Sequence, residues 1–97
     1  METRVLGKSD LKVSTVCFGA WPIGGGMGNV DLKQAVDTIQ AAVDLGITFI
    51  DTAEGYQTSE SVLGQALKGR RDSVILASKL SGPDHSEKHI YEAIENS

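Results

Sequence analysis

The 97-residue sequence predicts an α/β fold in which a β-hairpin is followed by three βα units. Turn residues separate two short apolar segments near the start, and three later apolar runs are β-prone. Each of those runs is followed by apolar residues at helical spacing. Because strands that alternate with helices form parallel sheets, we expect one parallel sheet in a single domain. The predicted parts are a hairpin at 1–14 and βα units at 15–46, 47–69 and 73–97.

The hairpin and the first strand occupy the first 19 residues. Residues 7–10 supply the turn of the hairpin. Residues 15–19 are apolar and β-branched, as expected of a strand that is buried on both faces. Cys17 lies in this run, and we expect it to be a buried apolar side chain rather than a reactive thiol. Residues 20–30 form a glycine-rich loop, in which Pro22 argues against a helix.

Three helices are predicted from capping residues and apolar spacing. A glycine ends each of the first two, at Gly46 and Gly69. The predicted caps are Asp31 with Gln34 in a capping box, then Thr58 or Ser59, then Asp84 or Ser86. The side chains expected to face inward are Leu32, Ala35, Val36, Ile39, Ala42 and Val43 in the first helix, Val62, Leu63, Ala66 and Leu67 in the second, and Ile90, Ala93 and Ile94 in the third.

Composition excludes several classes of function. The net charge of −4 argues against nucleic acid as a partner, and no apolar run is long enough to span a membrane. The first residues lack the basic and then apolar pattern of a secretion signal. The single cysteine leaves no internal disulfide and no multi-cysteine zinc site, which favours a reducing, cytoplasmic setting.

Three polar side chains are expected at one edge of the sheet. Asp51 and Tyr56 follow the second predicted strand at 48–52, and Lys79 ends the third at 74–79. The carboxyl ends of parallel strands are where sites are built. Side-chain alternation places Asp51 and Lys79 on faces that could share one interior, where the lysine ammonium would need a charged partner.

A lysine close to Tyr56 would favour the tyrosinate and lower the phenol pKa from its usual value of about 10. A tyrosine tuned in this way can act as a general acid toward a substrate oxygen. Reduction of a carbonyl by hydride from a nicotinamide needs such an acid. A structural ion pair beside a loop tyrosine is the alternative interpretation of the same three residues.

Several motifs resemble one enzyme family over essentially the whole chain. Residues 46–56 and 59–67 closely resemble the aldo-keto reductase signature, and residues 6–14 resemble the opening hairpin of that family. Residues 18–21 are similar to the end of its first barrel strand, and residues 75–79 to its lysine strand. The resemblance implies a (β/α)8 TIM barrel that uses NADPH to reduce aldehydes or ketones to alcohols.

The resemblance also implies roles for individual residues. Asp51, Tyr56 and Lys79 match the catalytic aspartate, the proton-donating tyrosine and the lysine that lowers the pKa of that tyrosine. Ala20 and Trp21 match a loop near the nicotinamide and the substrate, and together with Asp51 they are the expected cofactor-binding residues. The family usually has glycine after the tyrosine, where this chain has Gln57.

The length of the chain differs from that of a complete barrel, which takes about 250 residues. The catalytic histidine of the family follows the fourth strand, and neither His85 nor His89 matches its position. We therefore expect an incomplete N-terminal part of the barrel that is inactive alone. Three strands would also leave open sheet edges, through which the chain could self-associate.

Other interpretations remain open. The chain could be a non-catalytic binding or regulatory protein of the same family. The glycines between Gly24 and Gly28 could cradle phosphate in a Rossmann fragment, although a flexible loop is the better interpretation. Trp21 could belong to the core instead of a pocket.

A pair of histidines and a pair of carboxylates complete the candidates. His85 and His89 are four residues apart and could hold a metal, but solvated polar residues are the better interpretation, and no metal is predicted. Glu54 and Glu60 are expected to be solvated or capping carboxylates near the start of the second helix.

Overall fold

A computed structural model of the chain describes residues 1–26 and 28–97 and begins with the predicted hairpin. Strand β1 (Thr3–Val5) pairs antiparallel with β2 (Lys12–Ser14). Gly7 in the turn has φ of +57°, a left-handed conformation that glycine adopts without steric cost. Ser14 and Thr48 exchange two hydrogen bonds of 3.0 Å between backbone N–H groups and side-chain hydroxyls. These bonds attach the hairpin to Thr48, which directly precedes the strand that begins at Phe49.

The other three strands form the predicted parallel sheet. β3 (Cys17–Gly19), β4 (Phe49–Asp51) and β5 (Ile75–Ala77) lie side by side in sequence order. Each strand is shorter than predicted, but pairing continues beyond it. The Ala20 N–H donates to the Asp51 carbonyl at 2.9 Å, and the Thr52 N–H donates to the Ala77 carbonyl at 2.8 Å. The carboxyl ends of all three strands therefore meet at one edge.

Two helices pack on the same face of this sheet. α1 (Leu32–Asp44) and α2 (Ser59–Ala66) cover that face, where Ile50 and Val74 are buried among apolar helix residues such as Ile39 and Leu63. α3 (Glu87–Asn96) follows the edge strand β5.

The opposite face of the sheet, which we call the inner face, is only partly covered by the described residues. Cys17 is exposed there, and Phe49 and Ile75, its partners in register, are half-buried. The expectations that the first strand is buried on both faces and that Cys17 is buried are therefore wrong for this structure. The apolar run belongs to a strand whose second face receives little packing from the described residues.

The helix ends follow local chemistry. The Asp31 side chain accepts from the Lys33 N–H at 3.4 Å, and the Ser86 side chain accepts from the His89 N–H at 3.2 Å, so both cap. Among the described hydrogen bonds none joins the Gln34 side chain to Asp31, so the cap at Asp31 forms without the predicted capping box. Thr58 occupies the cap of α2 without a side-chain cap bond. Gly46 follows α1 with φ of +101°, as its C′ role predicts. α2 ends at Ala66, so Gly69, which was predicted to end it, lies three residues further along the chain, with φ of +80°.

Three further expectations about helices are wrong. Leu32, which was expected to face inward, is 47% exposed at the start of α1. Ile94 is 67% exposed and Ile90 is 38% exposed, because α3 follows the edge strand and only Ala93 of this set is buried. The glycine-rich loop contains a 3₁₀ turn, Pro22–Gly24, with proline at its first position. Proline is tolerated there because that N–H has no partner within the helix. In the part of the chain that the structure describes, no helix has the length and apolar content needed to cross a membrane.

Candidate active site

The three predicted catalytic residues meet at the carboxyl edge of the sheet. Asp51 ends β4, and Lys79 lies two residues beyond β5. The Lys79 ammonium donates to Asp51 Oδ1 at 2.6 Å and to the Thr52 carbonyl at 2.8 Å. Tyr56 lies in the loop between β4 and α2, and Lys79 Nζ is 5.2 Å from the centroid of its ring. A carboxylate, an ammonium and a phenol therefore form one cluster.

The charge of Lys79 is stabilised by this cluster. The pKa of Lys79 is raised above its ordinary value of 10.5, first by the hydrogen bond to Asp51. Partial burial lowers this pKa, whereas the charge of Asp51 and the proximity of Tyr56 raise it. The side chains are 46% and 43% exposed, and exposed pairs contribute only about 0.2–1 kcal/mol to folding. The main effect of the pair is thus to hold a cation beside the phenol.

Two buried hydroxyls hold the start of α2 behind the cluster. Thr52 Oγ1 and Ser59 Oγ are 2.7 Å apart, and Ser59 Oγ donates to the Ala20 carbonyl at 3.1 Å. Ser59 is fully buried and Thr52 is 1% exposed. The sequence predicts Ser59 only as a possible helix cap, and no pattern in it marks Thr52. The sequence could have indicated these two residues only by their positions, Thr52 next to Asp51 and Ser59 at the start of α2.

The backbone conformation of Gln57 explains why glycine usually follows the tyrosine in the family that the sequence resembles. Its φ is +51°, which makes it the one non-glycine residue with positive φ among those described. L-residues in this conformation bring Cβ too close to the backbone, and glycine avoids that contact. The loop therefore keeps the turn that glycine favours, at a steric cost borne by Gln57.

The two cofactor candidates from the first barrel loop have different environments. Ala20 is completely buried in the core, its N–H donates to Asp51 and its carbonyl accepts from Ser59, so its position supports a packing role. Trp21 is 48% exposed and free of the core, which leaves its ring accessible to a ligand. Its indole lies close over Gly26, where a Cβ would come within 2.1 Å of Nε1.

Gly24 packs against the loop 52–58, which carries Tyr56 and which we call the tyrosine loop, and this packing requires a glycine. It is buried, and a Cβ there would lie 1.9 Å from the Tyr56 carbonyl oxygen and 2.8 Å from Ser59 N. This close approach gives the glycine a structural reason that neither a phosphate cradle nor a flexible loop supplies.

Glu54 and Glu60 are not merely solvated. Glu54 Oε1 lies 3.3 Å from His89 Nε2 and accepts from the Ser81 N–H at 3.4 Å. Glu60 accepts from the Ser78 hydroxyl at 2.6 Å. The expectation of a solvated side chain is therefore wrong for Glu54 and for His89. Glu60 lies in the first turn of α2, which agrees with the other expectation, of a carboxylate near the helix start.

The metal and thiol alternatives receive no support. His85 precedes α3, and the described residues contain no group of three or more side chains that could hold a metal ion. Although Cys17 is exposed, its thiol is partly desolvated by its neighbours, and this desolvation is the first cause that raises its pKa, followed by the Asp51 carboxylate. A raised pKa disfavours a nucleophilic thiolate.

Comparisons with known proteins agree with this geometry. The model of the aldo/keto reductase family matches residues 15–97. The chain is 45% identical over 84 residues to aldo-keto reductase YhdN of Bacillus subtilis, covering 81% of this chain and 25% of that protein. It is 38% identical to a protein of Arabidopsis thaliana named "Probable voltage-gated potassium channel subunit beta", covering 100% of this chain and 33% of that protein.

A solved structure confirms the fold class. The holo form of an aldo-keto reductase from Bacillus halodurans superposes with a TM-score of 0.83 at 34% identity, over 99% of this chain and 35% of that one. The hairpin and βα units thus correspond to part of a (β/α)8 barrel, and the Rossmann alternative is not supported. The chain spans about a quarter to a third of the length of the curated relatives it matches. It belongs to the aldo/keto reductase family.

Proposed function

We propose that this chain forms part of a complete barrel that reduces aldehydes or ketones to alcohols, with a nicotinamide cofactor as the hydride source. The observation that carries the proposal is the cluster of Asp51, Lys79 and Tyr56, in which an ammonium bonded to a carboxylate at 2.6 Å lies 5.2 Å from a phenol ring. An acid beside a stabilising cation is the machinery that carbonyl reduction requires from the protein.

The residues at the carboxyl edge fit a flat cofactor ring. Asp51 and Trp21 are each partly exposed at this edge, and a Cβ built on Gly19 meets no atom within 4 Å. Asp51 and Trp21 would hold the nicotinamide. When bound in reduced form, this cofactor supplies hydride to the carbonyl carbon.

The chemistry left to the protein is the transfer of one proton. The Tyr56 hydroxyl would donate it to the carbonyl oxygen as negative charge develops there. The Lys79 ammonium would stabilise the tyrosinate that results, because opposite charges attract most strongly where water is excluded. Asp51 would keep Lys79 in place through the 2.6 Å hydrogen bond.

Replacement of the proton donor tests the proposal. In the complete protein, Tyr56→Phe should lower kcat for carbonyl reduction by roughly 10²- to 10⁴-fold. Cofactor affinity, followed by quenching of protein fluorescence, should stay unchanged. Tyr91→Phe is the matched control, because Tyr91 is 63% exposed on α3. Wild-type turnover in the Tyr56 variant would refute the assignment.

The finer parts of the proposal concern the cofactor, the chain alone and the location. We propose NADPH as the cofactor, from the family resemblance, and a higher kcat/KM with NADH would contradict it. We propose that the 97 residues alone lack activity, because three strands leave the inner face of the sheet partly open. A cytoplasmic location is also proposed, supported by a single cysteine that leaves no internal disulfide, and cell fractionation tests it.

A non-catalytic role is the second candidate function. It is favoured by the similarity to the plant protein named as a potassium channel subunit beta, which covers the whole of this chain. A complete protein of this kind would copurify with a channel protein and show no reduction across a panel of aldehydes and ketones. Robust reduction by the purified protein would favour the enzyme.

A further inference from the structure

Hydrogen bonds other than the ion pair of Asp51 and Lys79 join the tyrosine loop to the loop 78–86 after β5, which we call the lysine loop. The Glu54 N–H donates to the Lys79 carbonyl at 2.9 Å, and the Gly55 N–H donates to Ser81 Oγ at 2.7 Å. In return, the Ser81 N–H donates to Glu54 Oε1 at 3.4 Å. The residues just before Tyr56 are therefore bonded directly to the residues that carry and follow Lys79.

The same carboxylate reaches the third helix. Glu54 Oε1 lies 3.3 Å from His89 Nε2, and the two side chains are only 31% and 29% exposed. The Ser86 hydroxyl accepts from the His89 N–H at 3.2 Å, which fixes the first turn of α3. Glu54, Ser81 and His89 together form what we call the Glu54 junction, which links the tyrosine loop, the lysine loop and α3.

The junction requires close packing as well as hydrogen bonds. A Cβ on Gly55 would lie 2.7 Å from Ser81 Oγ and 2.8 Å from Ser81 Cβ, so glycine permits this approach. Tyr56 is the next residue along the chain. Any widening between Gly55 and Ser81 would therefore change the separation of Tyr56 from Lys79.

We propose that Glu54 is a positioning residue, which acts with Ser81 and His89 to set the distance between the Tyr56 phenol and the Lys79 ammonium. This inference rests on the proposed function, since the distance matters only if Tyr56 transfers a proton. Glu54 itself does not enter the reaction. It stabilises the loop conformation in which the proton donor and its cation are already close.

A pair of substitutions in the complete protein tests the role. Glu54→Ala removes the acceptor for Ser81 and the partner of His89, and kcat should fall about 10- to 100-fold while the Kd for NADPH stays unchanged. Glu54→Gln keeps an acceptor oxygen and should recover most of that loss. Glu92→Ala is the matched control, because Glu92 is 57% exposed and its ion-pair partner Lys88 lies on the same helix, outside the junction.

Hydrogen exchange gives a measurement that is independent of turnover. The Ser59 N–H donates to the Tyr56 carbonyl at 2.9 Å, so its exchange rate reports on the loop. We expect faster exchange at Ser59 in Glu54→Ala and not in Glu92→Ala.

The outcomes separate this inference from the proposed function. An active wild type whose Glu54→Ala variant keeps full kcat, or loses kcat without recovery in Glu54→Gln, would overturn the inference alone. A wild type that reduces no carbonyl would overturn the proposed function and the catalytic part of the inference with it. Unchanged exchange at Ser59 would overturn the positioning role in either case.

Discussion

The closest backbone approach in the site predicts the effect of one methyl group. A Cβ on Gly24 would lie 1.9 Å from the Tyr56 carbonyl oxygen, and the nearest atoms after it are Ser59 N and Ser59 Cβ. An ordinary C···O contact is about 3.3 Å, so the two segments must separate by about 1.4 Å. The contacted oxygen belongs to the backbone, so rotation of a side chain cannot relieve the clash. Gly24→Ala must therefore separate the two segments, and we expect the loop that carries Tyr56 to be displaced.

The displacement should reduce both activity and stability. A shift of about 1 Å in a reacting group can cost about 100-fold in rate, and we expect a fall in kcat of that order. Overpacking should lower the free energy of unfolding by about 1–3 kcal/mol. Steady-state kinetics and urea unfolding of the complete protein measure the two effects.

A second glycine provides the control for this substitution. Gly64 lies in α2, and a Cβ there would meet no atom within 4 Å. Gly64→Ala should raise the free energy of unfolding by about 0.5–1 kcal/mol, because alanine favours a helix, and should leave kcat unchanged. A Gly24→Ala variant with wild-type kcat would refute the packing argument, since the loop would have absorbed the methyl group without moving Tyr56.

Three further predictions follow from the site. Gln57→Gly removes an L-residue from the left-handed conformation, which costs about 1–2 kcal/mol, although the greater entropy of glycine in the unfolded chain offsets part of this gain. The free energy of unfolding in urea titrations should therefore rise by up to about 1 kcal/mol. A clear decrease would contradict the steric explanation. Ser59→Ala leaves the buried Thr52 hydroxyl without its partner and should cost about 1–3 kcal/mol by the same measurement, and a neutral result would contradict the buried network. Because the folded pKa of Lys79 is raised, its contribution to stability is complete below pH 10.5 and is lost as the pH rises through the folded value. Thermal unfolding across that range should show a decrease that Asp51→Asn abolishes, and an identical decrease in the variant would show that another group is responsible.

The fold was predictable where local chemistry and tertiary packing agree. The hairpin turn at Gly7, the cap at Asp31 and the stop at Gly46 each depend on a few neighbouring residues, and all three have their predicted conformations. Burial was harder to predict. Cys17 and Ile94 lie in apolar patterns, yet both are exposed, because burial depends on which other segments cover the pattern.

The site was predictable to the extent that it lies at strand ends. Alternation along the strands placed Asp51 and Lys79 on one face, and the structure joins them at 2.6 Å. The contacts of Glu54 with Ser81 and His89 were missed, because they join loops and a helix whose relative placement no periodicity encodes. The catalytic roles of Asp51, Tyr56 and Lys79 and the positioning role of Glu54 are predictions.

The proposed mechanism requires Tyr56 and Lys79 to act as one proton-donating unit, and a double-mutant cycle tests this. The measurement is kcat for carbonyl reduction in the complete protein carrying Tyr56→Phe, Lys79→Met and both substitutions. Residues that act as a unit show non-additive losses. We predict that the double variant is no slower than the slower single variant. A double variant slowed by the product of the two single losses would contradict the account, because the two side chains would then contribute independently.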